Sequence, residues 1–190
     1  MQKRFFIFLF MLVNLTYLPV QAAALDGVNF PDSVQLGGKE LLLNGLGTRK
    51  ATMFKVKVYV MGLYLSEKRA GAKAIIQSDE PKRIIMQFVR DVEAKKIRDG
   101  WQAGFEKNAL DAAALQTKID QFNSAMDNMK SGDRIILDFT GEQVDVFVND
   151  QQKTTITGSD FQRGLLSVWL GPKPPNKDLK QGILGSVNTN

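Results

Sequence analysis

Alternation of apolar and polar positions predicts most of the strands. The clearest one covers residues 53–65, where apolar side chains at every second position and many β-branched residues are typical of a strand with two distinct faces. Further strands are predicted at residues 40–49, 83–89, 134–139, 144–148 and 153–157. Gly141-Glu142 and Asn149-Asp150 separate the last three at the spacing of tight hairpins. Short strands joined by tight turns indicate an antiparallel sheet.

Helical spacing of apolar residues interrupts this series of strands. Within residues 94–110 the apolar positions recur every four residues, and within residues 112–129 they recur in steps of four and three. Two shorter helices are predicted from Ser159 or Asp160 to Leu170 and over residues 178–184, with a proline-rich turn between them. Strands, then helices, then strands indicate the α+β class rather than alternating βαβ units.

The first 22 residues have the composition of an export signal. Basic residues precede an apolar run, residues 5–13, that is too short to span a bilayer as a helix, and small residues lead up to Ala22. We therefore predict a signal peptide over residues 1–22, one mature domain over residues 23–190, a periplasmic location and no stable membrane insertion after cleavage. An uncleaved anchor is the alternative, and the polar residues that follow the apolar run argue against it.

The absence of two residue types limits the possible chemistry. The chain has no His and no Cys, which excludes Ser-His-Asp and Cys-His nucleophilic sites, disulfides, and His or Cys ligation of zinc, copper, haem or iron–sulfur clusters. A metal could be held only as a hard ion on oxygen ligands, and we predict neither a metal nor a cofactor. The 25 Lys+Arg and 20 Asp+Glu are scattered. They form no basic stripe with interleaved aromatics, so we expect no nucleic-acid partner.

Two segments resemble the chalcone isomerase family. The first is Leu43-Asn-Gly-Leu-Gly-Thr-Arg-Lys50 with the strand that follows it, and the second is the tail over residues 161–185, including Trp169-Leu-Gly171. The tail is similar to that of the family's bacterial exported branch, and the resemblance covers residues 36–185. It implies a large antiparallel β-sheet covered on one face by a layer of α-helices, with a ligand cleft between the two layers.

The resemblance also implies a site at which this chain departs from the catalytic pattern. By position, the electrophilic Arg of the family matches Arg49, its strand Thr falls on Tyr59 and its late Ser/Thr falls on Ser167. The Tyr and Asn of the first long helix are missing from residues 92–104. In the fatty-acid-binding members of the family a Tyr replaces the strand Thr, and the Arg/Tyr pair holds a carboxylate. A guanidinium can bind a carboxylate bidentately.

Three functional hypotheses follow from these residues. The first is a non-catalytic exported protein that binds a small amphipathic or aromatic acid, such as a fatty acid, through Arg49 and Tyr59, with Ser167 as a further contact. The second is an isomerase (intramolecular lyase) of chalcone-like α,β-unsaturated carbonyls, with Arg49 as electrophile and Tyr59 as donor or acid. The third is a cell-envelope interaction protein whose cleft has closed around an ion-paired Arg49; its partner is not identified by the sequence.

The ligand-binding hypothesis requires an apolar slot beside Arg49 and Tyr59. The sequence predicts that this slot is lined by Met61, Leu63, Ile97, Trp101, Phe105 and Met126. Each candidate also has a purely structural interpretation, as a salt-bridged arginine, a sheet aromatic, a helix serine or a core residue.

Overall fold

The computed structural model of the protein describes residues 22–185, which form nine strands and five helices. The strands are β1 (Ala22–Leu25), β2 (Val28–Pro31), β3 (Ser33–Leu36), β4 (Lys39–Ala51), β5 (Val56–Leu65), β6 (Lys82–Phe88), β7 (Arg134–Thr140), β8 (Gln143–Val148) and β9 (Gln151–Thr157). The helices are α1 (Ala72–Gln77), α2 (Ala94–Asn108), α3 (Gln116–Ser124), α4 (Ser159–Leu170) and α5 (Lys177–Ile183). Strands β3 to β9 form one antiparallel sheet in chain order, and β1 and β2 form a separate hairpin.

The two faces of the sheet carry different layers. Alternate residues of β5, such as Tyr59 and Met61, belong to the apolar core shared with the helices. Their neighbours Val60 and Tyr64 point the other way and belong to a second core that includes Phe30 of β2. The predicted α+β fold, with helices on one face of a large antiparallel sheet, is confirmed. The β1–β2 hairpin on the opposite face was not predicted.

Strand β5 begins at Val56, three residues later than the alternation predicts. Residues 52–55 instead form a tight turn, in which the amide of Lys55 donates a hydrogen bond to the carbonyl of Thr52 (3.2 Å). Met53 and Phe54 lie at the tip of this turn and are exposed to solvent. The apolar alternation of the strand continues through the turn, and for this reason periodicity alone extended the strand too far.

Helix α3 is shorter than the predicted helix over residues 112–129. Before it, the carboxylate of Asp111 accepts a hydrogen bond from the amide of Ala114 (2.9 Å) in a local turn. After it, Met129 exchanges two backbone hydrogen bonds with Val92 (2.8 and 2.9 Å) as an isolated β-bridge. The flanking segments still bury apolar side chains, so their spacing imitates a longer helix.

The C-terminal helix α5 lies directly on β4. Gly45 and Gly47 make this close contact possible: a Cβ on Gly45 would overlap a carbonyl oxygen of α5, and one on Gly47 would lie 2.6 Å from another. Asn44 is the extra residue of a β-bulge in β4, and its side-chain amide donates to the carbonyl of Ile183 (2.8 Å). The glycine-containing segment that resembles the family therefore seats α5 against the sheet.

The predicted signal peptide lies outside the described residues, apart from Ala22, which pairs with Pro31 in the β1–β2 hairpin. Export and cleavage remain predictions, as does the division into residues 1–22 and 23–190. Within the described part of the chain, every helix is too short or too polar to cross a membrane.

Candidate functional site

A cavity of about 560 Å³ opens between one end of the sheet and helix α2. Arg49, Tyr59 and Phe88 form its sheet side, because they stand opposite one another on β4, β5 and β6. Residues opposite one another on antiparallel strands place their side chains on the same face of the sheet. The rest of the wall comes from the β6–α2 connection, α2, the end of α4 and the α4–α5 connection, with these main apolar residues: Val92, Ile97, Trp101, Val168, Trp169, Pro174 and Pro175.

A β-bulge shapes the sheet side of the cavity. Arg49 pairs with Tyr59, but the next pair is Lys50 with Lys57, so Val58 is an extra residue on β5. Bulges locally increase the twist of a strand and change the direction of nearby side chains. Val58 lines the cavity together with Arg49 and Tyr59, so the bulge lies within the site.

Aromatic side chains close the inner end of the cavity. The rings of Tyr59 and Phe88 lie 5.6 Å apart, and those of Trp101 and Trp169 meet edge to face at 5.3 Å. The indole N–H of Trp169 donates to the Tyr59 hydroxyl oxygen (3.0 Å). Burial raises the pKa of Tyr59, so this hydroxyl stays protonated. No described residue accepts its hydrogen, which leaves Tyr59 a neutral donor.

Arg49 is fixed by polar contacts that do not neutralise its charge. One terminal nitrogen of its guanidinium donates to Oδ1 of Asn176 (3.0 Å) and to the carbonyl of Lys50. The same Oδ1 accepts the amide of Lys50 (2.8 Å). Over residues 22–185 no carboxylate forms an ion pair with Arg49. The guanidinium is therefore held in place without a carboxylate counter-ion among these residues.

Asn176 is a site residue that the sequence analysis missed. It directly precedes α5, a position at which asparagine normally caps the helix. Here its side chain makes no capping hydrogen bond and instead holds Arg49. The only signal in the sequence was an asparagine after two prolines. The contact with Arg49 depends on α5 lying against β4.

The charge around the cavity is predominantly positive. Among the described residues that line it, Asp91 supplies the only carboxylate; it pairs with Lys130 (2.8 Å), and this hydrogen bond lowers the pKa of Asp91. Within residues 22–185 no group of three or more acidic side chains could hold a metal ion. Of the cations that line the cavity, only Lys96 has an acidic partner within residues 22–185, namely Glu93 at 3.7 Å. The lining cations are Arg49, Arg90, Lys96, Lys107 and Lys173.

The structure brings three of the five predicted ligand-binding residues together. Arg49, Tyr59 and Trp101 line the cavity, whereas Met61 and Ser167 do not. Met61 is fully buried two residues further along β5, under the helices. Ser167 donates its hydroxyl to the carbonyl of Arg163 (2.6 Å) within α4.

The predicted apolar slot is also only partly present. Ile97 and Trp101 line the cavity, but Leu63, Phe105 and Met126 are buried in the core away from it. Periodicity identifies a buried position without showing whether that position lies at the edge of the core.

Comparison with known proteins gives a family and a fold. The model of the family described as chalcone isomerase-like matches residues 22–185. No curated protein matches this chain. Among solved structures, a crystal structure of a fatty-acid binding protein from Arabidopsis thaliana is similar, with a TM-score of 0.72 and 16% sequence identity over 86% of this chain and 96% of that chain. At this identity the likeness shows a common fold.

Proposed function

This chain belongs to the chalcone isomerase-like family, as its sequence motifs indicate, and we propose from this premise that it binds a small amphipathic anion without catalysis. The observation that carries the proposal is a cavity that combines an apolar interior with five lining cations, four of which have no acidic partner among residues 22–185. Such a site suits a carboxylate head on an apolar body. A protein of the same fold is described as fatty-acid binding, which supports a fatty acid as the ligand class.

Arg49 and Tyr59 supply complementary donors for the carboxylate. Both hydrogen bonds that fix Arg49 come from one terminal nitrogen, so Nε and the other terminal nitrogen are available for two carboxylate oxygens. The guanidinium fork matches this bidentate geometry. The hydroxyl hydrogen of Tyr59 adds a third donor on the same side of the cavity. The acyl chain then lies along Trp101 and the apolar wall.

The other two hypotheses are affected differently by the site. The third requires a closed cleft with Arg49 in an ion pair, whereas the cavity is open and Arg49 has no ion pair within residues 22–185. The isomerase hypothesis remains a prediction. Turnover of naringenin chalcone above its spontaneous rate, lost in Arg49→Ala, would support it. Function in the periplasm is likewise a proposal, and it depends on the signal peptide predicted over residues 1–22.

Titration calorimetry with dodecanoate tests the proposal. Arg49→Gln should weaken binding about tenfold to a hundredfold, because a hydrogen bond to a charged group contributes about 1.5–3 kcal/mol. Arg163→Gln is the matched control, since Arg163 is an exposed arginine of α4 outside the cavity, and it should leave the affinity unchanged. Equal affinities of the wild type and Arg49→Gln would contradict the proposal.

A further inference from the structure

The tip of the β4–β5 hairpin exposes two adjacent apolar side chains. Met53 is 92% exposed and Phe54 is 87% exposed. The turn that carries them is also conformationally costly, because Thr52 has a φ of 64° and β-branched residues rarely adopt the left-handed region. Tight hairpin turns normally use Gly, Asn or Asp. Neither stability nor solubility explains these residue types at the tip.

The hairpin around this tip is strongly cationic. From Glu40 to Glu67 the intervening chain contains no acidic residue. Lys55 lies in the turn itself and has no acidic partner within residues 22–185, while Lys57 pairs with Asp26. Residues 51 and 52 of the hairpin line the cavity, and the cations that also line it are Arg49, Arg90, Lys96, Lys107 and Lys173. The exposed apolar pair is therefore set in a positively charged surface beside the cavity mouth.

We propose that this hairpin tip, residues 52–55, docks the protein reversibly on the surface of an anionic phospholipid bilayer. Met53 and Phe54 would enter the interfacial layer, and the surrounding cations would lie at the anionic headgroups. Docking would bring the cavity mouth to the bilayer, from which an amphipathic anion could be loaded. The loading step rests on the proposed function, whereas the docking itself does not.

The shape of the tip favours a bilayer over a protein partner. A stable protein interface buries about 1,200–2,000 Å² in total and has a broad apolar centre. Two side chains on a narrow turn offer much less area than that. An interfacial lipid layer can surround a convex tip from all sides, and its negative charge complements the cations of the hairpin.

Vesicle co-sedimentation with fatty-acid-free vesicles tests the docking, using the protein without the predicted signal peptide, residues 1–22. We expect binding to phosphatidylglycerol vesicles, weaker binding at higher salt, and little binding to phosphatidylcholine vesicles. The double variant Met53→Ser/Phe54→Ser should bind these vesicles at least roughly tenfold more weakly than the wild type, because it removes two side chains that insert into the interfacial layer. Leu110→Ser is the control, since Leu110 is as exposed but lies between α2 and α3.

Equal vesicle binding by the wild type and the double variant would overturn the proposal, as would an equal loss in Leu110→Ser. Absence of binding to phosphatidylglycerol vesicles would also overturn it. Because all three substituted residues are exposed, we expect their replacement to leave the thermal midpoint unchanged. An unchanged midpoint shows that the variants are folded.

A transfer experiment separates docking from ligand binding. In stopped-flow transfer of a fluorescent fatty acid from phosphatidylglycerol vesicles, the double variant should load several-fold more slowly while its affinity for the same acid in solution stays unchanged. Tyr59→Phe should show the reverse, with weaker affinity and normal vesicle binding, because the hydroxyl is buried and uncharged. If neither the wild type nor any variant binds the acid, the proposed function fails, while the result of vesicle co-sedimentation still decides the docking.

Discussion

At the scale of single residues, Tyr59 and Tyr64 show how one strand gives two tyrosines different roles. Both are buried on β5 but lie on opposite faces of the sheet. The hydroxyl of Tyr64 donates to the carbonyl of Pro31 (3.0 Å), so its hydrogen is used within the fold. The hydroxyl of Tyr59 accepts from Trp169 and has no acceptor of its own within residues 22–185. Of these two tyrosines, only Tyr59 is therefore able to donate to a ligand.

Replacing each tyrosine with phenylalanine tests this difference. Tyr59→Phe leaves the buried N–H of Trp169 without an acceptor, so we expect a loss of about 1–3 kcal/mol in the free energy of unfolding. It should also weaken dodecanoate binding by roughly a factor of ten, for the loss of one hydrogen bond to a charged group. Tyr64→Phe should lower stability while leaving dodecanoate affinity unchanged. Urea denaturation and calorimetry measure both quantities, and equal affinity losses would refute the assignment.

Lys82 is a second residue whose chemistry is changed by burial. It is 2% exposed, and its ammonium group donates to the carbonyls of Ser78 (2.5 Å) and Glu80 (2.8 Å). Burial lowers the pKa of Lys82 to about 8 from its ordinary 10.5. Between these two pH values the unfolded chain binds more protons at this site than the folded protein. The contribution of Lys82 to stability therefore rises with pH across the window.

The pH dependence of unfolding should reveal this group. We expect a contribution that grows by up to about 3 kcal/mol as the pH increases from 8 towards 10.5. Lys82→Met should lack it, so the stability difference between the two proteins should change across the window in favour of the wild type. Urea denaturation of both at several pH values measures this, and parallel curves would contradict the burial of a charged Lys82.

At the scale of elements, helix α2 serves the core and the cavity at once. Ile97, Trp101 and Phe105 face the core at spacings of four residues. Gly104 allows α4 to approach, because a Cβ there would lie 2.6 Å from a side-chain methyl of Val168. Gly100, one turn earlier on the same helix, has open space at this position: apart from neighbouring backbone of α2 itself, no atom lies within 4 Å of a Cβ built there. Close packing against α4 therefore requires a glycine at position 104, whereas it does not require one at position 100.

The same substitution at these two glycines should have opposite effects. Gly100→Ala should raise the free energy of unfolding by about 1 kcal/mol, because alanine favours a helix interior over glycine. Gly104→Ala should lower it by about 1–3 kcal/mol, because α2 and α4 would have to separate. Thermal or urea denaturation measures both. A stabilising Gly104→Ala would contradict the close packing of the two helices.

At the scale of the whole molecule, the sequence predicts local pattern well and tertiary position less well. Alternation located strands β6 to β9 because the side-chain period of a strand is a local property. The pairing of Arg49 with Tyr59 is consistent with the expected site. The helix-bearing face of β5 was not predictable, because β5 is apolar on both faces. The turn at residues 52–55 was missed because its apolar residues continue the strand pattern.

The site residues that the sequence did not predict share one physical reason for being missed. Arg90, Lys107 and Lys173 come from three separate segments that converge only after folding. Asn176 reaches Arg49 only because glycines in β4 let α5 lie against the sheet. Such convergence depends on long-range packing, and no spacing in a single sequence encodes it. Met61 was misplaced for the same reason, since burial does not reveal distance from a cavity.

Intrinsic tryptophan fluorescence reports directly on anion binding in the cavity, because both tryptophans of the chain, Trp101 and Trp169, line it. Titration with dodecanoate should give a saturable change with one ligand per protein. Methyl dodecanoate, which lacks the negative charge, should bind at least about tenfold more weakly, and Arg49→Gln should reduce that difference. A response that does not saturate, or equal affinities for the acid and its ester, would contradict anion binding in this cavity.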